Sequence, residues 1–107
     1  MISGWIGVDL DGTLAHYGGW VGPDHIGEPI PAMVSRVRAW LSKGIEVRIF
    51  TARASVPEQI PPVAAWSLKH IGVALAVTNV KDFGMVELWD DRCVRVVANT
   101  GRPCCCG

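Results

Sequence analysis

The chain has 107 residues, and its ten lysines and arginines balance its ten aspartates and glutamates. This length suits a single domain, and a hydrophobic content of 50% is typical of a globular protein rather than a disordered chain. A formal net charge of zero excludes binding to nucleic acid through bulk positive charge, although it leaves a local basic patch open.

From the sequence we expect neither a membrane-spanning helix nor a secretory signal. No apolar run approaches the roughly 20 residues that a membrane-spanning helix needs, and residues 1–5 lack the basic stretch of a secretory signal. Three of the four cysteines are consecutive, at positions 104–106, a pattern that does not form the disulfide framework of a secreted domain. We therefore expect a reduced, cytoplasmic protein with a disordered cysteine-rich tail at residues 101–107.

The first half of the chain predicts a strand, a flap and a helix. Residues 5–8 form a short segment rich in aromatic and β-branched side chains, which is typical of a strand. The glycine- and proline-rich segment that follows predicts an irregular β-flap, with a hairpin as one form of it, over about residues 15–30. Apolar residues then recur at three- and four-residue spacing between Pro31, which suits a first helical turn, and Gly44, which suits a helix end.

The second half repeats the alternation of strand and helix. A second strand is predicted at residues 45–50, and a second helix within residues 57–71, of which 63–71 is the firmest part because Pro61 and Pro62 cannot lie inside a helix. Three further apolar segments predict strands, the last of them weakly: residues 73–77, 85–89 and 94–97. This order implies right-handed crossovers, so we expect a single α/β, Rossmann-like domain with a mainly parallel sheet flanked by helices.

Acidic or hydroxyl side chains follow three of the predicted strands directly. Asp9 and Asp11 follow the first strand, Thr51 follows the second, and the pair Asp90-Asp91 follows the strand at 85–89. Because the carboxyl ends of parallel strands share one edge of the sheet, these side chains should meet there. Carboxylates brought together repel one another unless a cation lies among them, and oxygen ligands without histidine or cysteine favour Mg²⁺ over zinc.

Each of these residues also has a purely structural interpretation. Asp11 before a glycine is common in turns, Thr51 could cap a helix, and Asp90-Asp91 could lie in a solvated loop. Residues 9–14 taken together are harder to explain as a turn. In extended backbone Asp9 and Asp11 face the same way, so one carboxylate could attack a substrate while the other handles a proton.

This combination of motifs resembles the haloacid dehalogenase (HAD) superfamily of phosphatases and phosphotransferases. The signature Asp-x-Asp-Gly-Thr-Leu is present at residues 9–14, and the second, third and fourth motifs would be Thr51, Lys81 and Asp90-Asp91. More narrowly, the chain resembles the small members of bacteria and their phages that lack a cap domain. That likeness is carried by Ile-Gly-Glu-Pro-Ile-Pro at 26–31, Thr-Ala-Arg at 51–53 and Asp-Asp-Arg at 90–92.

The resemblance implies a phosphomonoester hydrolase that works through an aspartyl-phosphate. Asp9 would be the nucleophile, and Asp11 would protonate the leaving oxygen and then activate water. Thr51 and Lys81 would hold the transferring phosphoryl group, with Arg53 able to share the role of Lys81. Mg²⁺ would be bound by the Asp9 side chain, the Asp11 backbone carbonyl and Asp90, with support from Asp91.

The resemblance also implies an open site, since the segments between the motifs leave no room for a cap. We expect shielding by the flap or by a second subunit of a homo-oligomer, and a substrate such as a nucleotide, a nucleic-acid end or another large phosphorylated molecule. His16, Tyr17 and Trp20 could stack on a base, although Trp20 more simply packs the flap down. A non-catalytic metal- and phosphate-binding module is the alternative, whereas a signalling receiver domain would place its acidic pair first along the chain.

Overall fold

The computed structural model describes residues 3–104. Its strands are β1 (Trp5–Val8), β2 (Glu46–Phe50), β3 (Ala76–Thr78) and β4 (Met85–Trp89), and its α-helices are α1 (Pro31–Ser42) and α2 (Ile60–His70). Two short 3₁₀ turns, Ala52–Ser55 and Pro57–Gln59, connect β2 to α2. The strands form one sheet in the order β3-β2-β1-β4, and every neighbouring pair is parallel. The predicted α/β domain with a parallel, Rossmann-like sheet is therefore confirmed at this level.

The central position of β1 follows from its sequence. All four of its residues are buried, and Ile6 and Val8 are completely inaccessible to solvent. A strand that is apolar throughout suits the middle of a parallel sheet, where both faces are covered. Because β1 lies between β2 and β4, the residues that follow it emerge beside the ends of both neighbours.

Both helices follow their apolar patterns onto a shared core. Helix α1 begins at Pro31 and buries Met33, Val34 and Val37, as its spacing predicts. Helix α2 begins at Ile60, which is earlier than the firmest part of the prediction, because its prolines occupy the first turn, where backbone N–H groups need no partner. Its Trp66 indole donates a hydrogen bond to the Gly27 carbonyl at 3.0 Å and so ties the flap to the helix.

Two predicted strands differ from the structure. The strand predicted at 73–77 is the shorter β3, because the segment before it ends the helix, with Ser67 Oγ bonding to Val73 O and to Leu75 N. The segment 94–97 does not form a strand, and Val96 makes only an isolated bridge to Pro103.

The last described residues fold back on the segment before them. The Val97 N–H donates to Arg102 O at 2.8 Å, and the Cys104 N–H donates to Arg95 O at 2.6 Å. Arg102 and Cys104, which lie in the tail predicted to be disordered, therefore have backbone partners. The remainder of that tail, 105–107, lies outside the described residues.

The flap is a loop closed at its base rather than a pair of strands. Ala15 forms an isolated antiparallel bridge with Pro29, His16 N–H donates to Glu28 O, and Ile30 N–H donates to Leu14 O. Within residues 3–104, neither helix is long and apolar enough to cross a membrane.

Candidate functional site

The chain segments that leave β1, β2 and β4 meet at one edge of the sheet. The Asp9 N–H donates to Trp89 O at 2.9 Å, and the Thr51 N–H donates to Thr78 O at 2.9 Å, so both residues continue the strand pairing by one step. Two adjoining cavities, of about 560 and 430 Å³, open there. The residues that line both of them are Asp9, Thr51, Ala52, Ser55 and Arg92.

Three carboxylates converge in this cleft. One carboxylate oxygen from each of Asp9, Asp90 and Asp91 lies within 4.8 Å of the other two. Burial, then the charge of Asp90, then hydrogen bonding to Asp91 raise the pKa of Asp9 from 3.8 to about 7. A proton or a cation would reduce the repulsion within such a cluster, and its oxygen ligands suit a hard divalent ion.

The turn after β1 holds the cluster in place. Thr13 Oγ1 lies 3.3 Å from Asp9 Oδ2 and accepts a hydrogen bond from the Asp91 N–H at 3.1 Å. Leu10 and Leu14 are fully buried, so the apolar residues of the motif anchor the turn while its polar ones face the cleft. Gly12 has a φ of +92°, and a Cβ there would collide with the Asp91 carboxylate. The positive φ and the close approach both require glycine.

Asp11 lies in the same cleft, but its carboxylate is paired with Arg53. The guanidinium Nε and Nη2 donate to Asp11 Oδ2 and Oδ1 at 2.8 and 2.9 Å, which is a bidentate ion pair. Arg53 is only 6% exposed, and it also donates to the carbonyls of Pro23 and His25 at 3.2 and 3.0 Å. Its guanidinium carbon lies 4.9 Å from the centroid of the Trp20 ring. Arg53 therefore fastens the flap to Asp11.

Thr51 combines a structural contact with its place in the cleft. Its Oγ1 accepts a hydrogen bond from the Arg53 N–H at 3.2 Å and so caps the 3₁₀ turn that follows β2. Sequence reasoning left this capping interpretation open, and the structure adds that the residue is buried yet borders both cavities. This cap fixes the backbone of Arg53, whose side chain lines the larger cavity.

Lys81, the remaining predicted site residue, lies apart from the others. It lines a separate depression of about 230 Å³ with Asp82 and Phe83. Among the described residues, the cations that line the two cavities of the cleft are Arg53 and Arg92. Sequence reasoning gave Arg92 no role, although its position directly after the acidic pair was a signal that could have found it.

The aromatic residues of the flap border one side of the larger cavity. Tyr17 and Trp20 line it and are 47% and 56% exposed, together with Val56 and Gln59 from the segment that leads into α2. Trp20 stacks on Arg53 rather than packing into the core. His16 is not among the described residues that line either cavity.

Comparison with protein-family models, with curated proteins and with solved structures found no match to this chain. The site must therefore be interpreted from its own geometry. That geometry is an acidic cluster suited to a cation, a paired carboxylate beside it, and an open cavity with aromatic walls.

Proposed function

We propose that the protein is a Mg²⁺-dependent phosphomonoester hydrolase of the capless HAD type. The observation that carries this proposal is the convergence of Asp9, Asp90 and Asp91 at the end of two adjacent parallel strands, with Asp11 in the same cavity. Asp9 and Asp11 are the two acids that the Asp-x-Asp-Gly-Thr-Leu signature would use. Their surroundings differ, because Asp9 lies in the acidic cluster that a bound metal ion would neutralise, whereas Asp11 is paired with Arg53.

The donor set fits the proposed metal ion. Asp9, Asp90 and Asp91 offer only carboxylate oxygens as ligands. The guanidinium of Arg53, which lines the larger cavity with Asp9 and Asp91, is engaged by Asp11. Mg²⁺ prefers such hard ligands and usually keeps several waters besides one or two carboxylates. When bound, the ion would reduce the repulsion between the nucleophile and an anionic phosphate.

Asp9 would act as the nucleophile. One of its oxygens attacks phosphorus and forms an aspartyl-phosphate, while the bond to the leaving oxygen breaks and that oxygen takes a proton from Asp11. Water then attacks phosphorus and gives a proton to Asp11, so that inorganic phosphate leaves and Asp9 is restored. The order of these steps requires Asp11 to part from Arg53 at least transiently, because a carboxylate with both oxygens paired to a guanidinium has no proton to donate.

The open cavity suits a nucleotide or a nucleic-acid end as substrate. Tyr17 and Trp20 are exposed on its wall, and an aromatic face stacks on any base without strong sequence preference. Other large phosphorylated molecules are compatible with the same opening. One observation favours a second candidate function, a weakly active or non-catalytic metal- and phosphate-binding module: both carboxylate oxygens of Asp11 are engaged by Arg53.

The test is release of phosphate from an aryl phosphate by purified protein, with Mg²⁺ and with a chelator. We expect turnover only with the metal, and its loss in Asp9→Asn because an amide is not a nucleophile of comparable strength. Asp24→Asn is the matched control, since Asp24 is an exposed flap residue that lines neither cavity. Equal turnover in Asp9→Asn and the unaltered protein would refute the nucleophile, and absence of turnover in both would favour the binding module.

A further inference from the structure

Arg92 is a cation of the cleft that the proposed mechanism leaves without a task. It follows the acidic pair at the end of β4 and lines both cavities, together with Asp9 and Thr51. We infer that the guanidinium of Arg92 binds the phosphate group of the substrate, the role for which the sequence suggested Lys81. This inference rests on the proposed function for its substrate, but it concerns a residue to which that function assigns nothing.

The first support is that the other cleft arginine is already engaged. Arg53 is buried, and its guanidinium donates to Asp11 and to two flap carbonyls. Binding a phosphate through Arg53 would require breaking a bidentate ion pair in a partly buried place, which is costly. When a substrate enters the cleft, Arg53 would therefore still be paired with Asp11 and would not be free to bind the phosphate.

The second support is that Arg92 is free to bind. Within residues 3–104 its side chain makes no hydrogen bond, ion pair or ring contact, although two carboxylates precede it in the chain. Its backbone is fixed instead, because the Arg92 N–H donates to Asp90 Oδ1 at 2.8 Å. A fixed backbone with an unpaired guanidinium leaves the charge available to a ligand.

The third support is the electrostatics of the cleft. Asp9, Asp11, Asp90 and Asp91 all line it, so a phosphate approaching Asp9 enters a strongly acidic place. A cation at that position offsets the repulsion, and arginine can offer two parallel N–H donors to phosphate oxygens. Lys81 lines a different depression and so borders neither cavity.

The experiment compares Arg92→Met and Arg92→Lys with the matched control Arg95→Met. Arg95 is an exposed arginine three residues further along that lines neither cavity. Two quantities are measured in Mg²⁺: the Kd of inorganic phosphate, by phosphorus NMR, and the kcat and KM for an aryl phosphate. We expect Arg92→Met to raise the Kd and the KM by about tenfold or more, Arg92→Lys to recover part of the loss, and Arg95→Met to match the unaltered protein.

The two readouts separate this inference from the proposed function. Phosphate binding that depends on Arg92 in a protein without turnover supports the inference and refutes the hydrolase. Turnover that depends on Asp9 but not on Arg92, with phosphate binding unchanged in both Arg92 variants, overturns the inference and leaves the hydrolase standing. Failure of the unaltered protein to bind phosphate also overturns it. A final arm, Lys81→Met, reassigns the role to Lys81 if phosphate affinity falls there and not in Arg92→Met.

Discussion

Asp9 and Asp11 are separated by one residue and line the same cavity, yet their carboxylates have opposite surroundings. Asp11 receives two hydrogen bonds from a buried guanidinium, whereas Asp9 lies among the carboxylates of Asp90 and Asp91. One side of the cleft therefore carries a paired counter-charge as part of the fold, whereas no ion pair among residues 3–104 involves the acidic cluster on the other side. The paired side can be rigid without any ligand, while the acidic cluster is relieved only by what binds to it, a proton or a metal ion.

The largest expected effect comes from removing the counter-charge of the paired side. Arg53→Met leaves Asp11 unpaired and frees the flap carbonyls of Pro23 and His25, so we expect the free energy of unfolding to fall by about 3 kcal/mol. The measurement is urea denaturation in the presence of a chelator. The free energy of unfolding of Arg53→Lys should lie between those of the unaltered protein and Arg53→Met, because lysine keeps the charge but not the planar guanidinium with its parallel donors.

Arg48 supplies a matched control for Arg53. It also pairs with carboxylates, Glu46 at 2.6 Å and Asp82 at 3.4 Å, and also lies over a tryptophan, with 4.4 Å to the Trp5 ring centroid. Its side chain is 26% exposed, against 5% for Arg53. Because solvent screens an exposed pair, we expect Arg48→Met to cost less than about 1 kcal/mol. An equal decrease in the free energy of unfolding in Arg53→Met and Arg48→Met would contradict the view that the buried ion pair of Arg53 stabilises the site more than an exposed pair does.

The second largest effect is stabilisation by a metal ion, which should depend on the acidic cluster and not on the Asp11–Arg53 pair. Adding Mg²⁺ at about 100 times its Kd should raise the free energy of unfolding by about 2.7 kcal/mol. Asp91→Asn removes a charge from the acidic cluster and should lose most of this response. Asp11→Asn should be less stable at the outset but should keep the response, since its side chain is committed to Arg53. The reverse pattern would move the metal site to Asp11.

The convergence of Asp9, Asp90 and Asp91 could be predicted from the sequence because each of these three residues lies within two residues of a strand end. Once the apolar segments at 5–8, 45–50 and 85–89 pair in parallel, Asp9, Thr51 and the pair at 90–91 have little freedom to be elsewhere. The same reasoning does not place Lys81, which lies in the loop between β3 and β4 and lines a separate depression. The path of this loop decides where the Lys81 side chain lies, and the sequence contains little information about that path.

The pairing of Arg53 was beyond sequence reasoning for a different reason. Its partners are the Asp11 carboxylate and the carbonyls of Pro23 and His25, and carbonyls leave no signal in the residue types. Arg53, which the sequence predicts as a phosphate ligand, has most of its donors engaged within the protein. The start of α2 was also only partly predictable from the sequence. Two prolines inside an apolar pattern indicate either a break in a helix or its first turn, and the packing of the helix decides between the two.

The smallest effect expected is a change in the pH dependence of stability caused by Asp9. Burial and the neighbouring charges raise the pKa of Asp9 to about 7 in the folded protein, above its ordinary value of 3.8. The folded state therefore binds a proton that the unfolded state has released, so without metal the stability due to this group is lost as pH rises from about 4 to about 7. Solvent screening at this partly exposed carboxylate limits the loss to roughly 1 kcal/mol.

Asp9→Asn removes this loss, and the comparison of the two proteins isolates it from the titration of the other carboxylates. In chelator, we expect the variant to be more stable than the unaltered protein at pH 8 and to approach it near pH 4, as measured by urea denaturation across that range. Asp24→Asn should run parallel to the unaltered protein. At pH 8, added Mg²⁺ should make the unaltered protein more stable than Asp9→Asn. The ionised Asp9 can bind the metal ion as a counter-charge, as Asp11 binds Arg53, whereas an asparagine carries no charge for the metal to neutralise. If Asp9→Asn also runs parallel to the unaltered protein, proton binding at Asp9 does not relieve the acidic cluster.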